Sequence, residues 1–194
     1  MEIGEQQPKP TLARMMGEVT HVSPLLRKVC ELSGCSEDRV GEWLLKCAVE
    51  RGASHYRRTF DPVLPADNPQ LTNEEVGVAL CLYHHPFDPM LIRAASQLLS
   101  ATGTDAESLA MLAIQERCEP VLLHIAKAAE GLAPEQNPWP FVRKNLSTRQ
   151  RIHTDALPHW SRFVSQTGFT PSGRGTHIEW LTRDEQPARD TADS

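Results

Sequence analysis

The side chains with the widest chemical repertoire in this 194-residue chain are eight histidines and five cysteines. His84 and His85 are adjacent, so on a helix their imidazoles diverge and do not share a metal ion. They precede Pro86 at a predicted helix end, where imidazoles can cap carbonyls and meet the helix dipole favourably. His124 falls within an apolar helical stripe, the setting of a hydrogen-bonded structural histidine. Cys30 and Cys35 form a C-x4-C pair with no second pair to complete a zinc site, and C-x-x-C is absent. Glu116 and Cys118 stand close together, but no histidine lies at a spacing that brings a base to the thiol. The chain has no G-x-S-x-G, no phosphate-binding glycine loop, no H-E-x-x-H and no dinucleotide fingerprint. The residues therefore predict no catalytic, cofactor or metal site. An enzyme would need a site assembled from distant positions, with His124, Glu116 and Cys118 the group to watch.

Basic side chains make a second kind of candidate. Arg39, Arg51, Arg57 and Arg58 form one set that could contact a nucleic-acid backbone; Arg143, Lys144, Arg149 and Arg151 form another. Trp139, Phe141 and Trp160 are interleaved with the second set, and aromatics among arginines can stack on unpaired bases. The formal net charge of −5 argues against a dedicated nucleic-acid coat. Its distribution is uneven. Between Leu71 and Glu135 there are 3 basic against 9 acidic residues, and between Gln136 and Arg183 there are 7 against 2. Such a basic segment would complement the acidic middle by docking within the chain or on a partner.

The elements that must position these residues are marked by punctuation. Ser23-Pro24 pairs an N-cap with a first-turn proline, and Leu25, Leu26, Val29, Cys30 and Leu32 follow as an apolar stripe to Gly34. Ser36 opens a second helix with Val40, Trp43, Leu44, Cys47 and Ala48 on one face, closed by Gly52. Thr72 and Glu75 have capping-box spacing and restart the helical pattern. Asp88-Pro89, Asp105 and Glu119-Pro120 open three more helices, with stops assigned to Gly103 and Gly131. The Asp105 helix carries Leu109, Leu112, Ala113 and Ile114 as its core stripe. A short helix is also predicted over Thr11–Val19 and another over Phe141–Leu146. Leu157, Trp160, Phe163 and Val164 have helical spacing, whereas Thr176–Leu181 reads as a strand or extended arm without an identified partner. Proline density over 59–70 marks a linker.

Two resemblances rest on these residues. Val29, Cys30, Gly34, Cys35, Val40 and Trp43 occupy positions that resemble a repressor-type helix-turn-helix over residues 26–45. Its second helix would present Glu37, Asp38 and Glu42 beside Arg39, and carboxylates repel a phosphate channel. Asp88-Pro89 through Ala95 resembles the second helix of a HEAT repeat, and Glu119-Pro120-Val121-Leu122 matches it in type 31 residues later. The second unit departs from the pattern, with His124 near the place of the expected arginine.

The expectation is a mainly α protein of short antiparallel helix pairs, forming a helical bundle or short HEAT-like array. Residues 1–10 and 184–194 are expected to be disordered ends. Residues 11–58 would form the helix-turn-helix-like unit, 59–70 a linker, and 71–183 the bundle with its basic segment. The function expected is a non-catalytic module holding a protein partner, an accessory or antitoxin-like subunit of a bacterial operon. The alternatives are a DNA-binding regulator and an enzyme. With no signal peptide and no apolar run long enough for a bilayer, the expected location is the cytoplasm and no membrane partner is expected.

Overall fold

The computed structural model of the chain describes residues 23–83, 89–147, 157–169 and 175–184. The predicted Thr11–Val19 helix, both expected disordered ends apart from Asp184, His84-His85-Pro86, Asp88, Arg149 and Arg151 lie outside the described residues. The protein is mainly helical, as expected, with one two-stranded sheet among the described residues. The helices are α1 (Pro24–Ser33), α2 (Val40–Glu50), α3 (Asn73–Tyr83) and α4 (Met90–Leu99). They continue as α5 (Ala106–Glu116), α6 (Glu119–Leu132) and α7 (Trp139–Asn145). Strands β1 (Val164–Phe169) and β2 (Thr176–Trp180) pair antiparallel, with Val164 opposite Trp180 and a bulge between Gln166 and Gly168. No helix among the described residues is long and apolar enough to cross a membrane.

Helix starts obey local chemistry. The Ser23 hydroxyl accepts the Leu26 N–H, and one Asp105 carboxylate oxygen accepts the N–H groups of Glu107 and Ser108. Hydrogen bonds from the Ser108 hydroxyl and N–H hold the Asp105 carboxyl below its ordinary range. Thr72 and Glu75 form a reciprocal capping box: the Thr72 N–H donates to the Glu75 carboxylate, and the Glu75 N–H to the Thr72 hydroxyl. At the other ends, Gly34 takes up a left-handed conformation after α1, at φ 61°. Gly131 lies inside α6 instead of ending it, and that helix runs on to Leu132. Pro89 occupies the position before α4, so that helix begins at Met90 without a side-chain cap.

Helix α3 is the hub, packing on α1, α2, α4 and α5. It comes so close to α4 that a Cβ added to Gly77 would lie 2.7 Å from the Leu99 side chain. Side chains from Leu25 through Leu181 join one hydrophobic cluster, which includes Trp43, Leu80, Ile92, Leu122 and Trp139. The segment predicted helical around Phe163 and Val164 instead passes through a short 3-10 turn, Trp160–Arg162, into β1. That strand is the partner the Thr176–Leu181 arm requires. Phe163 is buried and its ring packs on Trp180 at 5.6 Å between centroids. Satisfying the backbone of one extended segment with another decides the conformation, which apolar spacing alone did not reveal.

A buried carboxylate ties α1 to α5. Glu116 is 3% exposed, and its Oε1 accepts the Leu25 N–H at 3.1 Å, one of the orphan donors at the start of α1. Glu116→Ala should cost about 1–3 kcal/mol by stranding that donor and opening a gap. Urea unfolding measures the loss, and Glu116→Gln, which keeps the acceptor oxygen, should recover part of it. Equal stability of all three chains would show that the contact contributes nothing.

Candidate functional site

The basic residues singled out by sequence have divided duties. Arg39 just before α2, Trp43 and Lys46 within it and Arg51 just after it turn toward the proline-rich stretch. The Arg39 guanidinium donates to Asp61 at 2.8 Å, the Trp43 indole to the Ala66 carbonyl, and the Lys46 ammonium to the Leu64 and Pro65 carbonyls. Arg51 grips both Asp67 carboxylate oxygens, at 2.7 and 2.8 Å, and donates also to Leu71, Asn68 and Asn73. Proline-rich backbone cannot satisfy its carbonyls in a ladder, so α2 side chains do so. Residues 59–70 are thereby strapped along α2. Arg51 is a loop staple with no donor left for a phosphate.

Seven of the eleven residues of α2 are buried, among them Val40, Trp43, Leu44 and Ala48. The helix that would have to enter a DNA groove therefore faces the core. Arg57 and Arg58 follow α2 and are exposed, Arg58 lying over the Phe60 ring at 5.4 Å. Arg143 pairs with Glu130, and Lys144 beside it is exposed. No hydrogen bond joins any of these four to another.

The suspected catalytic group is dispersed among structural tasks. Glu116 holds the start of α1, and the His124 Nε2 lies 2.7 Å from the Pro158 carbonyl oxygen. Burial pushes the Cys118 thiol well above its ordinary range, and the Cys81 thiol up to about 12. Burial and the neighbouring Asp67 carboxylate raise Cys47 as well. Thiolates, the reactive form, are thus suppressed at all three sites. No cluster of three metal-ligating side chains occurs among the described residues.

Two surface features remain. A polar cleft of about 820 Å³ opens where the ends of α2 and α4 meet the loop before α5, with Arg183, Thr102, Gly103 and Asn73 among its walls. Nothing in the sequence marks it, since Gly103 there reads only as a helix stop. The other feature is the outer face of α5. Met111 is 72% and Ile114 56% exposed, while Leu109, Ala110 and Ala113 on the opposite side are buried. Ile114 was expected in the core stripe. It faces water because α5 is apolar on more than one side, and only its packing on α3 and α7 selects the buried one.

In comparisons with known proteins, no family model, no curated protein and no solved structure matches this chain.

Proposed function

We propose that the chain is a non-catalytic helical interaction module that holds a protein partner on the outer face of α5. The observation supporting this reading is the exposed pair Met111 and Ile114. Three residues apart on a helix, they form one continuous apolar spot. Large apolar side chains left together in water lose free energy that a partner can recover, and methionine is enriched at such contacts. Exposed Glu107 stands one turn before Met111, within a segment of acidic excess. The complementary partner surface is an apolar depression with a basic rim. We place this activity in the cytoplasm, in an accessory or antitoxin-like subunit of a bacterial operon. Its paired helices would work as HEAT-like arrays do, by offering a surface.

The test is native co-purification from the source cells with the unaltered chain and with the double variant M111E/I114E. Interface anchors of this kind are each worth about 2 kcal/mol, so the double variant should weaken binding by roughly a thousandfold. Both substitutions lie on an exposed face, so the thermal midpoint should hardly move. A partner retained equally by both chains would overturn the assignment, as would light scattering showing the native chain as a lone monomer.

A further inference from the structure

We infer that the cleft around Arg183 binds the oxyanion, carboxylate or phosphate, of a polar small molecule. Its floor is set by main-chain anchoring. The Arg183 N–H donates to the Ser100 carbonyl at 2.9 Å and the Asp184 N–H to the Gly52 carbonyl at 3.0 Å, while the Gln97 side chain holds the Thr182 carbonyl. A Cβ added to Gly52 would lie 2.8 Å from the Asp184 carbonyl oxygen, so the segment fits there only because position 52 is glycine. The Arg183 main chain is consequently fixed before any ligand arrives.

The loop between α4 and α5 supplies N–H groups. The Asn137 side-chain amide donates to the carbonyls of Ala101, at 2.9 Å, and Thr102, at 3.3 Å. In a planar trans peptide the N–H points opposite to the carbonyl. The N–H groups of Thr102 and Gly103 therefore point away from Asn137, and neither makes a hydrogen bond among the described residues. Both residues line the cleft. A Cβ built on Gly103 would be 3.8 Å from the Arg183 Nη2, so the guanidinium stands beside this pair of amides.

The charge available to a ligand comes from Arg183. Arg51 also borders the cleft, but its donors are spent on Asp67 and the neighbouring loop. The Arg183 side chain, by contrast, makes no hydrogen bond among the described residues; its Nη1 is shut away from solvent, so Nη2, on the Gly103 side, is the donor placed to meet a ligand. A guanidinium with unused donors next to two consecutive free amides is the arrangement that receives carboxylate or phosphate oxygens. Asp184 also lines the cleft, and its negative charge opposes multiply charged anions, which favours a ligand with a single oxyanion group. At about 820 Å³ the cleft has room for a small metabolite and not merely an ion.

Amide chemical-shift titration of the full chain with inorganic phosphate and, separately, with acetate decides the matter, using chloride at matched ionic strength as control. The expected result is a saturable shift of the Thr102 and Gly103 amides at millimolar anion, with the stronger of the two probes identifying the oxyanion class. Arg183→Gln should weaken the response about tenfold, and Arg183→Lys should restore only part, because it keeps charge but loses the planar fork. No saturable shift at these amides up to about 50 mM of either anion overturns the proposal. So does an unchanged response in Arg183→Gln. Should that variant fail to fold, the location of the shifts in the unaltered chain decides instead: shifts confined to Thr102 and Gly103 support the site, and shifts elsewhere overturn it.

Discussion

Replacing Ser100 by alanine is expected to destabilise the protein by about 3–5 kcal/mol, because it strands two buried indole N–H groups at roughly 1–3 kcal/mol each and leaves a small gap. The Ser100 hydroxyl is the point where three distant segments meet. Its oxygen accepts the Trp139 indole at 2.8 Å and the Trp180 indole at 2.9 Å, and its proton goes to the Ser96 carbonyl at 2.7 Å. All its hydrogen-bonding capacity is used, in a position with no exposure. Urea denaturation followed by tryptophan fluorescence measures the loss, and emission should change as both indoles are disturbed. Ser100→Thr, which keeps the oxygen, should lose less unless its methyl group clashes. A loss below about 1 kcal/mol in Ser100→Ala would mean that water replaces the hydroxyl, contrary to the packing seen around it.

The second large effect is expected at Arg51. The Arg51 side chain is 12% and that of Asp67 27% exposed. Arg51→Ala would leave that carboxylate and the Asn68 and Leu71 carbonyls without their donor. Breaking a fully buried pair costs about 3–5 kcal/mol; allowing for water at the rim, about 2–4 kcal/mol is expected here. Arg51→Lys should recover little, since an ammonium cannot make the two parallel bonds to Asp67 together with the loop contacts. Because Arg51 straps 67–73 to α2, the variant should also be cut faster by protease within the 59–70 stretch. Unchanged cleavage there, at reduced global stability, would show that the other α2 side chains hold the stretch unaided.

These two residues illustrate how a basic side chain misleads when read by type. Arg39 and Arg51 have the charge that a phosphate contact needs, and nothing in their immediate neighbours reveals that Asp61 and Asp67 are waiting across a loop. Ser100 has even less signal: it is one serine after the apolar pair Leu98-Leu99. The candidate cleft was invisible for the same reason. Arg183, Gly103 and Gly52 are separated by tens of residues and meet only where the Thr182–Asp184 segment crosses the ends of α2 and α4. Met111 and Ile114 show the converse difficulty, since a helix apolar on several faces does not declare which face will be covered.

What the sequence determined by itself was local. The Ser23 and Asp105 caps, the Thr72–Glu75 box, the Gly34 turn and the apolar periodicity of α2, α4 and α6 all depend on residues a few positions apart, so spacing alone encodes them. Helical content followed from those short-range bonds. Only the tertiary structure decided that α2 is buried, that β1 is a strand, and that α3 is the hub. It also decided which arginines are spent on loops and which keeps free donors. Each of those outcomes hangs on a contact between segments far apart in the chain, where the choice among competing partners is made by packing and by satisfying every buried polar group at once.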